Sequence, residues 1–215
     1  MVLCDIGNTT FHFMLNGRDL KIGVNEQKEN FPQINQTIYF VSVNENGTNR
    51  LKEIYTDISD LSTKLNFKTN YKGMGIDRQV VCSGYKNAII VDAGSAITVD
   101  VIKNSKHKGG YILPGVFAYS KIYPNISSKL AFEYNYDINL DKMPLNTNDA
   151  INFAIFNSIL QPIQNLQKKY SVPLVFTGGD GKILYKLVGN YPKKYKKELM
   201  FKVMKKILKE KGIEC

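Results

Sequence analysis

Two stretches of this chain end an apolar run with an aspartate and a glycine-bearing polar turn: Leu3-Cys4-Asp5-Ile6-Gly7-Asn8-Thr9 and Ile90-Val91-Asp92-Ala93-Gly94-Ser95-Ala96. Their aspartates stand 87 positions apart, and each turn leads into a second strand-like run, at residues 10–15 and 97–102. Such a turn suits phosphate chemistry. Its backbone N–H groups can converge on an anion, and a missing Cβ lets the anion approach closely. The aspartate beside it can hold the metal ion that neutralises the phosphates, while the hydroxyls of Thr9, Thr10 and Ser95 add donors. A single D-x-G needs nothing beyond the turn preference of Asp, Asn and Gly. Two copies in register, with a third glycine-rich turn at Thr177-Gly178-Gly179-Asp180-Gly181, point to a nucleotide gripped from two sides.

The third turn lies between the apolar run Leu174-Val175-Phe176 and a helix expected from Lys182. Free N–H groups and the positive end of the helix dipole then face the same anion. Close strand-to-helix packing is the alternative use of its glycines. A fourth element, Gly73-Met74-Gly75-Ile76-Asp77-Arg78, lacks the third glycine, the preceding strand and the distal acid of a dinucleotide fingerprint. It sets opposite charges side by side at a glycine turn. The carboxylate can take a proton from a substrate hydroxyl, and the guanidinium can pair with carboxylate or phosphoryl oxygens. A weak surface ion pair is the alternative.

The elements that must position these turns follow from patterning. Residues 2–43 alternate apolar and polar and are broken by Asn16-Gly17, which predicts a meander of antiparallel strands. Residues 44–49 read as a loop and 50–61 as a short helix. From Asn87 the scheme repeats, with strands at 88–91, 97–102 and 110–113 and a turn at 106–109 carrying an isolated His107 at its tip. Asn146-Thr147-Asn148-Asp149 offers capping groups for a long helix to about Tyr170, bent at Pro162. Two halves are expected, residues 1–86 and 87–215.

The 215 residues, 43% hydrophobic and 22% charged, suit a globular protein with room for two cores. No apolar run approaches the ~18 residues of a membrane span. The first strand begins at Val2, which leaves no room for a leader ahead of it, so the expected compartment is the cytoplasm. Cys4, Cys82 and Cys215 are odd in number and scattered, against a disulfide framework or a zinc site. Cys4 and Cys82, in strand-like runs, read as buried thiols. The net charge of +10 is concentrated at the C-terminal end, where residues 182–215 hold eleven lysines and three acids. Leu199, Val203, Met204, Ile207 and Leu208 recur at helical spacing within residues 193–213. That pattern gives a surface helix with a solvated basic face rather than a nucleic-acid site.

Taken in order, Asp5-Ile6-Gly7-Asn8-Thr9, Gly75-Ile76-Asp77-Arg78, Val91-Asp92-Ala93-Gly94-Ser95, Gly109-Gly110-Tyr111-Ile112-Leu113-Pro114-Gly115 and Thr177-Gly178-Gly179-Asp180 resemble the type III pantothenate kinases, over residues 2 to about 185. The G-x-D-R and G-G-x-I-x-P-G elements are the most specific. The resemblance implies an α/β fold of two ribonuclease H-like (actin-like ATPase) halves, with mixed β-sheets flanked by helices and the active site between them. This is the fold of the acetate and sugar kinase, Hsp70 and actin superfamily. It implies a homodimer that phosphorylates pantothenate to 4'-phosphopantothenate with ATP, the first step of coenzyme A biosynthesis, using Mg²⁺ and either K⁺ or NH₄⁺.

Carried over by position, the resemblance makes Asp77 the proton acceptor and Gly75, Ile76, Asp77 and Arg78 the pantothenate contact, joined by Tyr71 and Thr147. Asp5, Ile6, Gly7, Asn8, Thr9, Thr10, Phe11 and His12 would bind ATP, with Asp5 near Mg²⁺. Ser95, where the family often has threonine, and Gly178 and Gly179 would also meet ATP. Asp92 would ligate the monovalent cation. Ala154 replaces the glycine of the family pattern T-x-x-A-I-x-x-G that begins at Thr147. The helix from Thr147 would lie at the dimer interface, so that two chains share the pantothenate pocket. Two other readings keep part of this pattern. Another actin-like small-molecule kinase or a polyphosphatase would need the phosphate turns but not G-I-D-R. A non-catalytic transcription accessory factor would use the lysine-rich tail on DNA, although no helix begins with groove-reading Arg or Asn.

Overall fold

The computed structural model describes residues 1–213. They form two compact units, one made of residues 1–84 together with the described residues from Leu199 onward, the other Tyr85–Glu198. Each is built on a five-stranded mixed sheet.

In the first unit β1 (Val2–Ile6) pairs antiparallel with β2 (Thr10–Leu15), and β2 with β3 (Arg18–Gly23). Asn16 and Gly17 make the β2–β3 turn at φ 48° and 81°, the left-handed pair that a two-residue hairpin requires. The expected meander stops there, because β4 (Ile38–Ser42) runs parallel to β1 and β5 (Ile58–Asp60) parallel to β4. Parallel neighbours need a crossover. Helix α1 (Glu45–Ile54) supplies it between β4 and β5. Residues 44–49 are therefore not a loop, and the helix expected at 50–61 ends at Ile54. Asn44 caps α1, its Oδ1 accepting the Gly47 N–H at 3.0 Å. Gly47 permits close packing, since a Cβ there would lie 2.6 Å from Cγ2 of Ile6 at the end of β1. Helix α2 (Ile76–Ser83) follows and buries Val80, Val81 and Cys82, so Cys82 is a buried helical residue rather than a strand residue.

The second unit repeats the opening scheme. β6 (Ala88–Ala93), β7 (Ala96–Lys103) and β8 (Lys106–Pro114) are antiparallel neighbours. After helix α3 (Tyr119–Ile126) and the long α4 (Thr147–Tyr170), β9 (Leu174–Thr177) pairs parallel with β6. Helix α5 (Gly181–Leu187) leads to β10 (Lys193–Tyr195), parallel to β9. Alternate residues Ile89, Val91, Val99 and Val101 of the sheet share one core with Ile151, Ile155 and Ile159, spaced four apart along α4. The β7–β8 turn falls at Asn104 and Ser105, both at positive φ, not at residues 106–109. His107 is thus inside β8. A register irregularity opposite Asp100 brings its Nε2 to 2.9 Å from Asp100 Oδ1, with both side chains buried.

The segment expected as one helix over 193–213 divides into β10 and α6 (Leu199–Glu210). The lysine-rich helix was assigned above to the second half. It belongs instead to the first unit, where it packs on α2 and β1. Its stripe of Leu199, Val203, Met204, Ile207 and Leu208 is buried. A Cβ at Gly84 would come 2.7 Å from Val203 Cγ2, and the ring of Phe201 stands edge-on to His12 at 4.7 Å. Among the described residues no helix is long and apolar enough to cross a membrane. Cys215 lies outside the described residues.

Candidate active site

In the first unit the turn after β1 is closed by a hydrogen bond from the Gly7 N–H to the Thr10 carbonyl at 3.0 Å. Asn8 and Thr9 are exposed at its tip. Ile6 and Phe11 flank it with fully buried side chains, and Phe11 lies against the rings of Phe13 and Phe31. Of the stretch expected to meet ATP, these two therefore support the turn from within the core. His12 points instead to Phe201 and, at 3.8 Å, to Asp19. Asp5, next to last in β1, is half-buried and in register with His12 of β2 and Val41 of β4.

The C-terminal end of β4 ties this turn to the G-I-D-R element. The Val43 N–H donates to the Ile6 carbonyl at 3.1 Å. The Val43 side chain would sit 3.6 Å from a Cβ on Gly75. A cleft of about 460 Å³ opens there, lined by Ser42, Asn44, Thr48, Gly75, Ile76 and Gln79 among others. Gly75 occupies the N-cap position of α2, and a Cβ on it would fall 2.5 Å from Asp77 Oδ1. The missing side chain is thus the space in which the Asp77 carboxylate rests, accepting the Arg78 N–H at 2.7 Å. Arg78 is buried, its guanidinium over the Tyr71 ring at 4.7 Å from the centroid. That stacking joins Tyr71 to the G-I-D-R turn.

In the second unit three of the recognised elements meet. The Gly94 N–H closes its turn on the Ala96 carbonyl at 3.0 Å, one residue tighter than the Gly7 turn of the first unit. The last glycine of G-G-Y-I-L-P-G, Gly115, donates its N–H to the Ser95 carbonyl at 3.1 Å, and a Cβ on it would strike the Gly94 oxygen at 2.3 Å. Gly178, at φ 84°, would place a Cβ 2.3 Å from the Ala93 carbonyl oxygen and 2.6 Å from Asp92 Oδ1. The Asp180 N–H then bonds the Ala93 carbonyl at 3.0 Å, stapling the third turn onto the second. Burial raises the Asp180 carboxyl above the ordinary carboxylate range. Gly179 is exposed, with nothing near its Cα on the side a Cβ would take. Thr147 is the exposed first residue of α4. The capping group is Asn146, whose Oδ1 accepts the Asp149 N–H at 2.9 Å.

Asp5 and Asp92 each offer carboxylate oxygens for the ions expected. Among the described residues no three His, Cys, Asp or Glu side chains converge as a self-sufficient metal site. A Mg²⁺ shared between one carboxylate and nucleotide phosphates needs no such cage. At Asp92 a carboxylate oxygen and the Ala93 carbonyl oxygen both stand within 2.6 Å of where a Cβ on Gly178 would lie, two oxygen donors side by side, of which the carbonyl already accepts the Asp180 N–H. Sequence reasoning missed Asn44 and the packing roles of Gly75, Gly115 and Gly178. The signal for Asn44 was available as an Asn directly after the apolar run of β4.

A family profile described as type III pantothenate kinase matches residues 32–169. Curated relatives of that name include those of Wolinella succinogenes, 40% identical over 98% of this chain and 97% of its own length, and Helicobacter hepaticus, 39% identical over 98% and 99%. A crystal structure from Campylobacter jejuni, described as a candidate Baf family transcriptional activator, is 38% identical and superposes with a TM-score of 0.84 over 99% of both chains. A candidate 2-dehydro-3-deoxygalactonokinase of Sinorhizobium meliloti, only 10% identical, shares the fold at a TM-score of 0.58 over 97% of this chain and 96% of its own. Near-complete coverage at about 40% identity and the profile match agree: the chain belongs to the type III pantothenate kinase family, which phosphorylates pantothenate with ATP in coenzyme A biosynthesis.

Proposed function

We propose that Asp77 is the proton acceptor of this reaction and that the turns at residues 5–10 and 92–95 hold the phosphates of ATP. The observation that carries the assignment is the carboxylate of Asp77 lodged over the bare Cα of Gly75, beside the buried Arg78. Pantothenate's primary hydroxyl oxygen attacks the γ-phosphorus in line, the bond to the β–γ bridging oxygen breaks with ADP leaving, and the hydroxyl proton passes to Asp77. Arg78, held against Tyr71, pairs with the pantothenate carboxylate. Asp5 would hold Mg²⁺ and Asp92 with the Ala93 carbonyl would hold K⁺ or NH₄⁺; bound there, these cations offset phosphate charge. Converging N–H groups of the turns stabilise the phosphoryl oxygens.

The active species is a cytoplasmic homodimer. What supports the dimer is a set of exposed apolar side chains in the second unit, including Phe117 at 66%, Ile126 at 68%, Met143 at 77% and Leu145 at 99% exposure. Thr147, two residues after Leu145, would reach pantothenate across that dimer contact. The test is ADP release with ATP, Mg²⁺ and pantothenate, in K⁺ and in Na⁺, with a control lacking pantothenate. Pantothenate-dependent, K⁺-stimulated turnover is expected. Asp77→Asn should lose ~10²- to 10⁴-fold in turnover while nucleotide affinity survives; full turnover in that variant would overturn the assignment.

A further inference from the structure

The structure assigns Asn44 as the positioning residue of the first phosphate turn. Its side chain makes three hydrogen bonds that fix its orientation. Oδ1 accepts the Gly47 N–H at 3.0 Å, while Nδ2 donates to the carbonyls of Asn8 at 3.1 Å and Gly7 at 3.4 Å. Only this placement of amide oxygen and nitrogen satisfies one donor and two acceptors. The Asn44 backbone is held in turn, its N–H donating to Ser42 Oγ at 3.1 Å.

The consequence lies in peptide geometry. In a planar trans peptide the carbonyl of one residue and the N–H of the next point in opposite directions. Fixing the Gly7 and Asn8 carbonyls on Asn44 therefore turns the Asn8 and Thr9 N–H groups away from it, toward the exposed tip of the turn. Two donors are aimed in advance at one side, as an anion nest requires, and no reorganisation is left for the moment of binding. The second unit does the same by other means. There the Gly115 N–H holds the Ser95 carbonyl, so the duplicated turns are both braced from behind, one by a side chain and one by backbone. Asn44 also lines the cleft that Gly75 and Ile76 line.

This inference rests on the reading that the turn takes ATP phosphates, and the variants separate the two. Serine and aspartate both keep a helix cap at this position, but serine is too short to reach the carbonyls and aspartate has no donor for them. Asn44→Ser should melt with the parent protein, and Asn44→Asp, whose carboxylate would face the two carbonyl oxygens, somewhat below it. Their KM for ATP should rise by about 5- to 30-fold, the scale of one to two lost hydrogen bonds, with KM for pantothenate unchanged. Asn44→Ala should show the same KM change plus a lower melting temperature. A purely capping role predicts the opposite pattern, with only alanine affected. An unchanged KM for ATP in Asn44→Ser, beside a raised one in Asp5→Asn, overturns the brace alone. Unchanged values in both overturn the brace and the nucleotide assignment together.

Discussion

Replacing Gly75 by alanine tests whether the position of one carboxylate, rather than its presence, controls the reaction. The new Cβ would stand 2.5 Å from Asp77 Oδ1, where ordinary contact begins at 3.4 Å. The carboxylate must therefore retreat by about 1 Å, a misplacement that costs on the order of 10²-fold in rate, or ~2.7 kcal/mol of transition-state stabilisation. Stability should scarcely change. Gly75 has φ −56°, which alanine adopts freely, and the group displaced is the end of a flexible side chain. Loss of glycine at an N-cap, up to ~1 kcal/mol, is offset by ~0.4–1 kcal/mol from the stiffer unfolded chain. Gly73→Ala is the matched control. At φ 72° it strains the backbone by ~1–2 kcal/mol, yet its Cβ meets nothing. Steady-state kinetics and thermal melts on both should give opposite results, with Gly75→Ala slow and stable and Gly73→Ala active and less stable. A Gly75→Ala enzyme with the parent's kcat refutes the reasoning.

Three further outcomes follow from the second unit. Gly178→Ala combines a left-handed φ with a collision against the Ala93 backbone oxygen, so chemical denaturation should show a loss above ~3 kcal/mol; parental stability would contradict the close approach. Asp92→Asn should abolish the ratio of turnover in K⁺ to that in Na⁺, and a preserved ratio removes Asp92 from the cation site. Because burial raises the Asp180 carboxyl, the folded state holds its proton more tightly than the unfolded one. Its favourable contribution is complete below the ordinary carboxylate value and disappears as pH climbs through the raised one. Asp180→Asn should consequently melt higher than the parent at pH 7, with the gap closing toward pH ~4. Equal melting across that range would refute the burial argument.

How much of this was legible in the chain depended on whether the signal was local. The hairpin at Asn16-Gly17, the cap before α4 and the paired turns are written in contiguous residues, and each stands where it was read. The parallel placement of β4 was not, because alternation specifies a strand but not its partner. Residues 44–49 misled because Asn and Gly favour turns. Asn44 serves as a cap, and Gly47 is tolerated in the helix because of Ile6, a residue remote in sequence. For the proposed site, Asp5, Asp77 and Asp92 stand out by type, spacing and the family resemblance. What held them was not, since a glycine that makes room for a carboxylate looks like any other until the fold brings the two together.

The interleaved order of the two units also has a consequence for how the protein is made. Helix α6 completes the first unit, yet residues 85–198 are synthesised before it. At typical translation speeds of ~5–20 residues per second the wait is on the order of ten seconds, against microseconds to fractions of a millisecond for hydrophobic collapse. During that interval the surface of α2 and β1 that α6 covers has no permanent partner, while the second unit, uninterrupted in sequence, can finish folding on the ribosome. The first unit is therefore begun before the second and completed after it. Its first-made strands are the last to be sealed, and a ribosome stalled anywhere before Leu199 leaves an open apolar face rather than a smaller working domain.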